Sequence, residues 1–408
     1  MGTEGYSPRL LRKAVRQGGK AASFKEASDD LRELADVTMS PTHVRRLSER
    51  LGREWAQARD ADVAAFRAGQ LPRDYAEAPK AAAVMLDGGR YQTRAAAAGR
   101  GVSDPGWKET KVACCLTYAA QSSPVDPQPQ PPAKFLDREQ VTRLVREMGE
   151  RTGSRRGQPA ARPKPKASRR RKRRRRLKPL VRTVVATTAE NEGFGWQVAT
   201  EVHRRGLDRA TRKACLGDGS KGIWALFEFH LLAMGFIGIL DFVHLLVHLY
   251  AAAGAAEGPG SDAAWALYTQ WLCWAWAGKV VLLLGALRTL CHRRGEAPAD
   301  AAEEDPRRVA AETLSYVQNN RTRMDYPRYR CQGLPVSSAP VESAIKQVNR
   351  RVKGSEKFWL KGEAEAILQV RAAYLSEDGR AERYWARPRP YARAVGSGRL
   401  RRAARAPQ

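Results

Sequence analysis

The sequence predicts a mixed α/β protein: a sheet core, a large all-helical insertion and an N-terminal helical region. Three observations lead there. Short apolar runs ending in Asp-Gly recur at 81–89 (AAAVMLDGG) and 211–219 (TRKACLGDG). Helix-patterned segments alternate with such runs, the order of elements that builds a mixed sheet. A Trp- and Leu-rich stretch within 245–325 reads as helices alone.

The elements follow in chain order. Within 23–57, Phe24, Ala27, Leu31, Leu34 and Val37 fall near helical spacing, and Ser40-Pro41 opens a second helix with a capping serine and a first-turn proline. That helix turns Val44, Leu47 and Leu51 inward and His43, Arg45, Arg46 and Arg50 outward. Two short helices, the second basic, are compatible with helix-turn-helix reading of DNA and equally with a plain helical hairpin. Residues 81–118 predict three short strands with Gly-rich connections, the last being GWKETKVACCLTYAA. Residues 121–135 are a Pro-rich loop, and 136–150 a short helix. Residues 181–205 predict one helix, weakened at Gly193–Gly195. After the second Asp-Gly run come a helix (KGIWALFEFHLLA) and another apolar run (FIGILDFVH). Residues 263–294 approach membrane-span length but contain Gln270 and Lys279. A central Lys costs about 3 kcal/mol on insertion scales, so a buried helical pair is the better reading. Residues 295–306 form an acidic loop and 307–323 resume as helix. Pro340 starts a basic helix over 341–352, KGSEKFW makes a turn, and 361–376 form a last helix.

The resulting organisation is a helical DNA-binding region at 1–75 and the first part of the core at 78–244, with a Pro- and Arg-rich insertion at 119–180. A helical insertion at 245–325, completion of the core at 326–385 and a basic tail at 386–408 follow.

Charge narrows the function. The 408 residues hold 72 Lys and Arg against 43 Asp and Glu, a net charge of +29. Such an excess points to a polyanion, nucleic acid first and an anionic membrane surface second. Residues 164–182 carry twelve basic residues and no acid, and the seven arginines of 387–408 form a second arm. Arg170, Arg171, Lys172 and Arg173 lie in the first block, a phosphate clamp or a solvated linker. Six cysteines without CxxC spacing exclude a disulfide scaffold and a zinc site. No GxxxxGK[ST] supports NTP hydrolysis, and the N-terminus lacks a secretory apolar run.

Three carboxylates stand where chemistry is expected. Asp87 and Asp218 each follow an apolar run and precede glycine; Glu342 sits in the first turn of a helix. Two strand-end aspartates and a helix glutamate suit Mg²⁺ or Mn²⁺, hard ions with oxygen ligands, and two such ions serve phosphodiester chemistry. Asp-Gly is also a common turn, and a first-turn Glu is favoured by the helix dipole. A capping box is weaker here, because Ala339 occupies the required position. Asp241, with His244 one turn on, rivals Asp218 and otherwise reads as support for the site.

The blocks LDGGRYQTRAAAAGRG with GWKETKVACCL, CLGDGSKGIW, ILDFVHLLVHLY, and PVESAIKQVNRRVKGSEKFW with AILQVRAAYLSEDGR occur in an order that resembles bacterial insertion-sequence transposases. The chain is similar to the Kra-type family, related in site layout to Mutator-like transposases, over about residues 80–385. The resemblance implies an RNase H-like core, a catalytic Asp87–Asp218–Glu342 triad holding Mg²⁺ or Mn²⁺, and double-stranded DNA, element ends and target, as partner. It further implies a homo-oligomer without nucleotide cofactor in the bacterial cytoplasm at the nucleoid. The turn after the glutamate departs from the family's Gly-Met-Arg-Trp, reading Ser355-Glu356-Lys357-Phe358-Trp359. Lys346, Arg350, Arg351 and Lys353 are expected on DNA, with Trp359 stacking on a base. The other classes are a non-catalytic nucleic-acid-binding protein and a membrane-associated one.

Overall fold

The computed structural model describes residues 6–75, 77–94, 106–119, 121–152, 179–354 and 356–387. The chain divides into two compact units. One comprises Met1–Ala58, Tyr91–Trp107 and Val348–Gln408; the other comprises Arg59–Arg90 and Lys108–Gln347. The expected tract residues Arg170, Arg171, Lys172 and Arg173, and the basic tail beyond 387, lie outside the described residues.

The larger unit is built on a mixed sheet. Its strands are β1 (Ala81–Thr93), β2 (Gly106–Tyr118), β3 (Pro179–Thr187), β4 (Arg212–Gly217) and β5 (Ile237–Leu240), in the order β3-β2-β1-β4-β5. β4 runs parallel to β1 and β5 parallel to β4, whereas β3 is antiparallel to β2. Residues 81–86 and 110–118 are buried without alternation, the mark of strands covered on both faces.

Two sequence expectations are corrected here. Among the described residues of 81–118 there are two long strands, β1 and β2, where three short ones were expected. Gly88 and Gly89 do not adopt the left-handed backbone of a turn, so β1 continues through them. A Cβ on Gly88 would stand 2.9 Å from Oε1 of Glu109, so the glycine gives that neighbour room. Residues 181–205 are not one helix. The β-branched run Val181–Thr187 belongs to β3, and α5 begins only at Asn191.

Helices complete the unit. After the N-terminal helices α1 (Pro8–Lys20), α2 (Phe24–Ala35) and α3 (Pro41–Arg67), the chain forms α4 (Arg138–Thr152), α5 (Asn191–Arg204) and α6 (Lys221–Leu226), the last running into a π-helical turn at Phe227–Leu231. Then come α7 (Phe242–Glu257), α8 (Asp262–Trp276), α9 (Val280–Arg294), α10 (Pro306–Asn320), α11 (Tyr326–Cys331) and α12 (Ala339–Val352). The Trp-rich stretch is a helical pair, α8 and α9, broken at Gly278 (φ +71°) and exposed Lys279. No helix among the described residues is long and apolar enough to cross a membrane. α7, α8, α9 and α10 pack through buried Leu249, Tyr268, Trp271, Leu272, Leu287 and Val317.

The Pro-rich loop is strapped to this helical layer. Arg330, 6% exposed, donates to both oxygens of Asp126 at 2.9 and 2.5 Å and lies over the Trp276 ring. Trp276 Nε1 donates to the Gln128 carbonyl at 2.8 Å, and the Ser123 N–H to Cys331 O at 2.7 Å. Proline removes donors from this segment, so side chains of the helices supply them.

The smaller unit gathers α1, α2, the first part of α3, α13 (Lys361–Leu375) and α14 (Arg380–Ala386). Ser7, Ser23 and Ser40 each accept a backbone N–H at a helix start. Leu11, Val15, Leu31, Val44, Leu47, Leu51 and Val370 share one core. The N-terminal helices thus share apolar packing with the chain's last described helices. A short strand, β6 (Phe358–Trp359), pairs with the end of β1 through Gln92↔Phe358 and Thr93↔Trp359.

Two predictions test this packing. Arg330 holds the Asp126 carboxyl below its ordinary pKa, so this stabilisation is present above the unfolded carboxylate's pKa and lost as pH falls through the folded value. Asp126→Asn should therefore cost about 2 kcal/mol in urea unfolding at pH 7, and the gap from wild type should close below about pH 4. A Cβ on Gly52 would lie 2.1 Å from Ala366 O. Gly52→Ala, which raises helix propensity by about 1 kcal/mol, should instead lower the thermal midpoint, at a cost of roughly 1–3 kcal/mol of strain.

Candidate catalytic carboxylates

Parallel pairing lines up three acids on adjacent strands. The registers Met85↔Leu216 and Gly217↔Leu240, carried forward along the strands, set Asp87, Asp218 and Asp241 in one row. The row crosses the middle of β1, which runs on to Thr93, and the carboxyl ends of β4 and β5, the side on which open α/β sheets bind ligands. Glu342 lies in the first turn of α12, within electrostatic reach of Asp87.

The three aspartates are not equivalent. Asp241 is fully buried. Its Oδ1 accepts from the Val243 N–H at 3.0 Å, capping α7. Its Oδ2 accepts from His244 Nδ1 at 2.8 Å and from the Ser338 hydroxyl. Burial alone would push the carboxyl's pKa up, but the bonds from His244, Ser338 and Val243 outweigh it and hold the group below its ordinary value. His244 responds in kind. Burial pushes it down, yet the bond to Asp241 and the charges of Asp241, Asp218 and Asp87 raise it to about 9. At neutral pH the pair is a carboxylate and an imidazolium.

Asp87 and Asp218 are half-buried. Burial raises Asp87 to about 6, and like charge from Asp218 and Glu342 adds to that rise; the His244 cation and the Gly88 N–H, at 2.7 Å, offset part of it. Asp218 is held at both its carboxylate and its backbone carbonyl. Its Oδ1 accepts from the Ser220 N–H at 2.9 Å, and its carbonyl accepts from the Tyr316 hydroxyl at 2.7 Å. Gly219 follows at φ +97°, and a Cβ there would stand 2.5 Å from the Tyr316 ring, so only glycine fits. His248, one turn beyond His244, stacks on Tyr316 at 3.9 Å. Burial and the His244 charge push it down to about 4, leaving it neutral.

Ser338 links Asp241 to Glu342. Its hydroxyl bonds Asp241, while its carbonyl accepts the N–H groups of Val341 at 2.9 Å and Glu342 at 3.2 Å. Sequence reasoning gave Ser338 no role, because a serine four residues before Glu342 is one position too far for a capping box. It also missed Tyr316, which lies 98 positions from Asp218; no local pattern marks such a partner.

The donor chemistry fits a hard divalent ion. Asp87, Asp218 and Glu342 supply only oxygen; burial and, to a lesser degree, the charges of Asp218 and Glu342 raise Asp87, and a bound cation would offset both. Among the described residues, however, no group of three or more His, Cys, Asp or Glu side chains stands close enough to hold a metal ion.

The expected DNA contacts divide by exposure. Arg46, Lys346, Arg350 and Lys353 are exposed, Lys346 lying 3.7 Å from Glu147. Arg45 lies 3.8 Å from Glu49, and Arg50 is half-buried. Two expectations are corrected. Arg351 is 2% exposed, donates to the Gly18 carbonyl at 2.8 Å and lies 4.1 Å over the Phe24 ring; burial, with Arg371 nearby, pushes its pKa down to about 10. Trp359 is buried, its indole N–H donating to Val352 O at 2.9 Å. Both belong to the core of the smaller unit and present no face to a ligand.

No protein-family model matches the chain, and no curated protein is significantly similar to it.

Asp241→Asn should remove the carboxylate that charges His244. In imidazole NMR with labelled histidine, the His244 pKa should fall from about 9 by at least a unit, with a stability loss of roughly 3–5 kcal/mol for the broken buried pair. An unchanged His244 titration would exclude Asp241 as its source.

Proposed function

We propose that the chain is a DDE-type DNA transposase, cutting phosphodiesters at element ends and joining them to target DNA. The observation that carries the reading is the row of aspartates on adjacent parallel strands: Asp87 and Asp218 fall level and half-buried, and Glu342 is close enough to raise the Asp87 carboxyl. The strand order β3-β2-β1-β4-β5, followed by a helical insertion and a helix bearing Glu342, supports an RNase H-like core.

In this reading Asp87, Asp218 and Glu342 hold divalent ions. When bound, such ions supply Lewis acidity to a phosphodiester and lower the pKa of an attacking water. The chain's own groups prepare the site. Asp241 keeps His244 protonated, and that fixed charge favours the ionised form of Asp87. Tyr316 and Gly219 fix the direction in which Asp218 leaves the sheet. Exposed Arg46, Arg350 and Lys353, in a chain of net charge +29, bind phosphates in a salt-dependent way.

A second reading is a non-catalytic nucleic-acid-binding protein. The lack of a gathered metal-holding group among the described residues favours it.

Supercoiled plasmid incubated with Mg²⁺ or Mn²⁺ separates the two. Asp87→Asn, Asp218→Asn and Glu342→Gln should each lower nicking by about 100-fold or more while plasmid binding persists. Nicking by the Asp87→Asn protein at the wild-type rate overturns the catalytic assignment. Salt-sensitive binding by the native chain without metal-dependent nicking selects the second reading.

A further inference from the structure

Trp107 is the one exposed tryptophan among the chain's ten. It lies at the start of β2 and is 43% exposed. An indole carries a large apolar face that strands ordinarily pack away, so a bare one in a rigid frame suits a ligand.

The frame is rigid for identifiable reasons. Thr93 Oγ1 donates to the Gly106 carbonyl at 2.8 Å, tying the residue before Trp107 to the end of β1. β6 pairs with that same end of β1, and Gln92 Nε2 donates to the Gly354 carbonyl at 2.6 Å. The segment that carries Lys353 is thus bolted beside Trp107. Lys353 Nζ lies 5.8 Å from the ring centroid, within cation–π reach. Arg350 is exposed, and its carbonyl accepts from Lys357 Nζ at 3.0 Å. Lys361 is exposed as well; Glu356 is the exposed acid of this segment.

An exposed aromatic ring with a cation beside it is the arrangement that stacks a base and holds a neighbouring phosphate. A base inside a duplex has no free face, so the fitting ligand is an unpaired nucleotide. We propose that Trp107 is a stacking platform for an unpaired base, with Lys353 and Arg350 on the adjoining phosphates. This rests on the nucleic-acid reading above and narrows its substrate to DNA with unpaired bases. Trp359, expected in this role from sequence, is the buried anchor of the same segment.

The test uses full-length wild type, Trp107→Ala and Trp107→Phe in fluorescence anisotropy. The probes are a fluorescein-labelled single strand and the blunt duplex of the same sequence. Trp107→Ala should weaken single-strand binding by about fivefold or more and leave duplex binding within about twofold. Trp107→Phe should recover most of the loss, and thermal midpoints should match wild type. Loss within about twofold on both probes, or equal loss on both, overturns the platform. A wild-type protein that binds duplex but not single strand overturns this inference and spares the DNA reading. Binding to neither probe overturns both.

Discussion

The carboxylate of Asp241 is the constraint on which the arrangement at the strand ends depends. A fully buried carboxylate without partners would cost several kcal/mol, so the fold must bring donors to it. They come from three places: the first turn of α7, the imidazole one turn on, and Ser338 just before α12. Satisfying one buried charge therefore sets where α7 starts, which protonation state His244 takes and where the chain enters the helix carrying Glu342. The ionised pair resembles an ordinary buried salt bridge, yet its effect reaches the half-buried carboxylates beside it.

Within the row, environment separates like residues. Asp241 has three donors and sits low on the pKa scale; Asp87 has one backbone donor and sits near neutrality. Asp218 also has one backbone donor on its carboxylate, the Ser220 N–H, but differs in that its main-chain carbonyl is held by the Tyr316 hydroxyl. Three aspartates at equivalent strand positions thereby take three roles. His248, stacked and neutral four residues from a charged His244, shows the same partition between two histidines on one helix.

Much of this architecture was legible in sequence. Apolar runs before Asp-Gly marked β1 and β4, because a strand buried on both faces leaves no polar alternation to confuse it. Pro340 marked the start of α12, and Lys279 argued against a span and proved to mark the break between α8 and α9. The misses have physical causes. β3 follows directly on the arginine block, and Val181–Thr187 was read into the helix behind it. Gly88-Gly89 looked like a turn because glycine permits one, whereas the chain stays extended there. Arg351 and Trp359 were read as surface groups from residue type. Their burial arises from contacts with Phe24 and Gly18, more than 300 positions away, which no local window contains.

The shared core of the smaller unit has a consequence for how the chain is made. Leu11, Val15 and Leu31 meet Val370 only after about 340 intervening residues have been synthesised. During that interval the apolar faces of α1 and α2 lack their final cover, and closing so long a loop is slow. α1 and α2 thus leave the ribosome long before they reach their finished packing, and their early exposure is a natural demand on holding chaperones. A fragment limited to the N-terminal helices would carry the same uncovered face permanently.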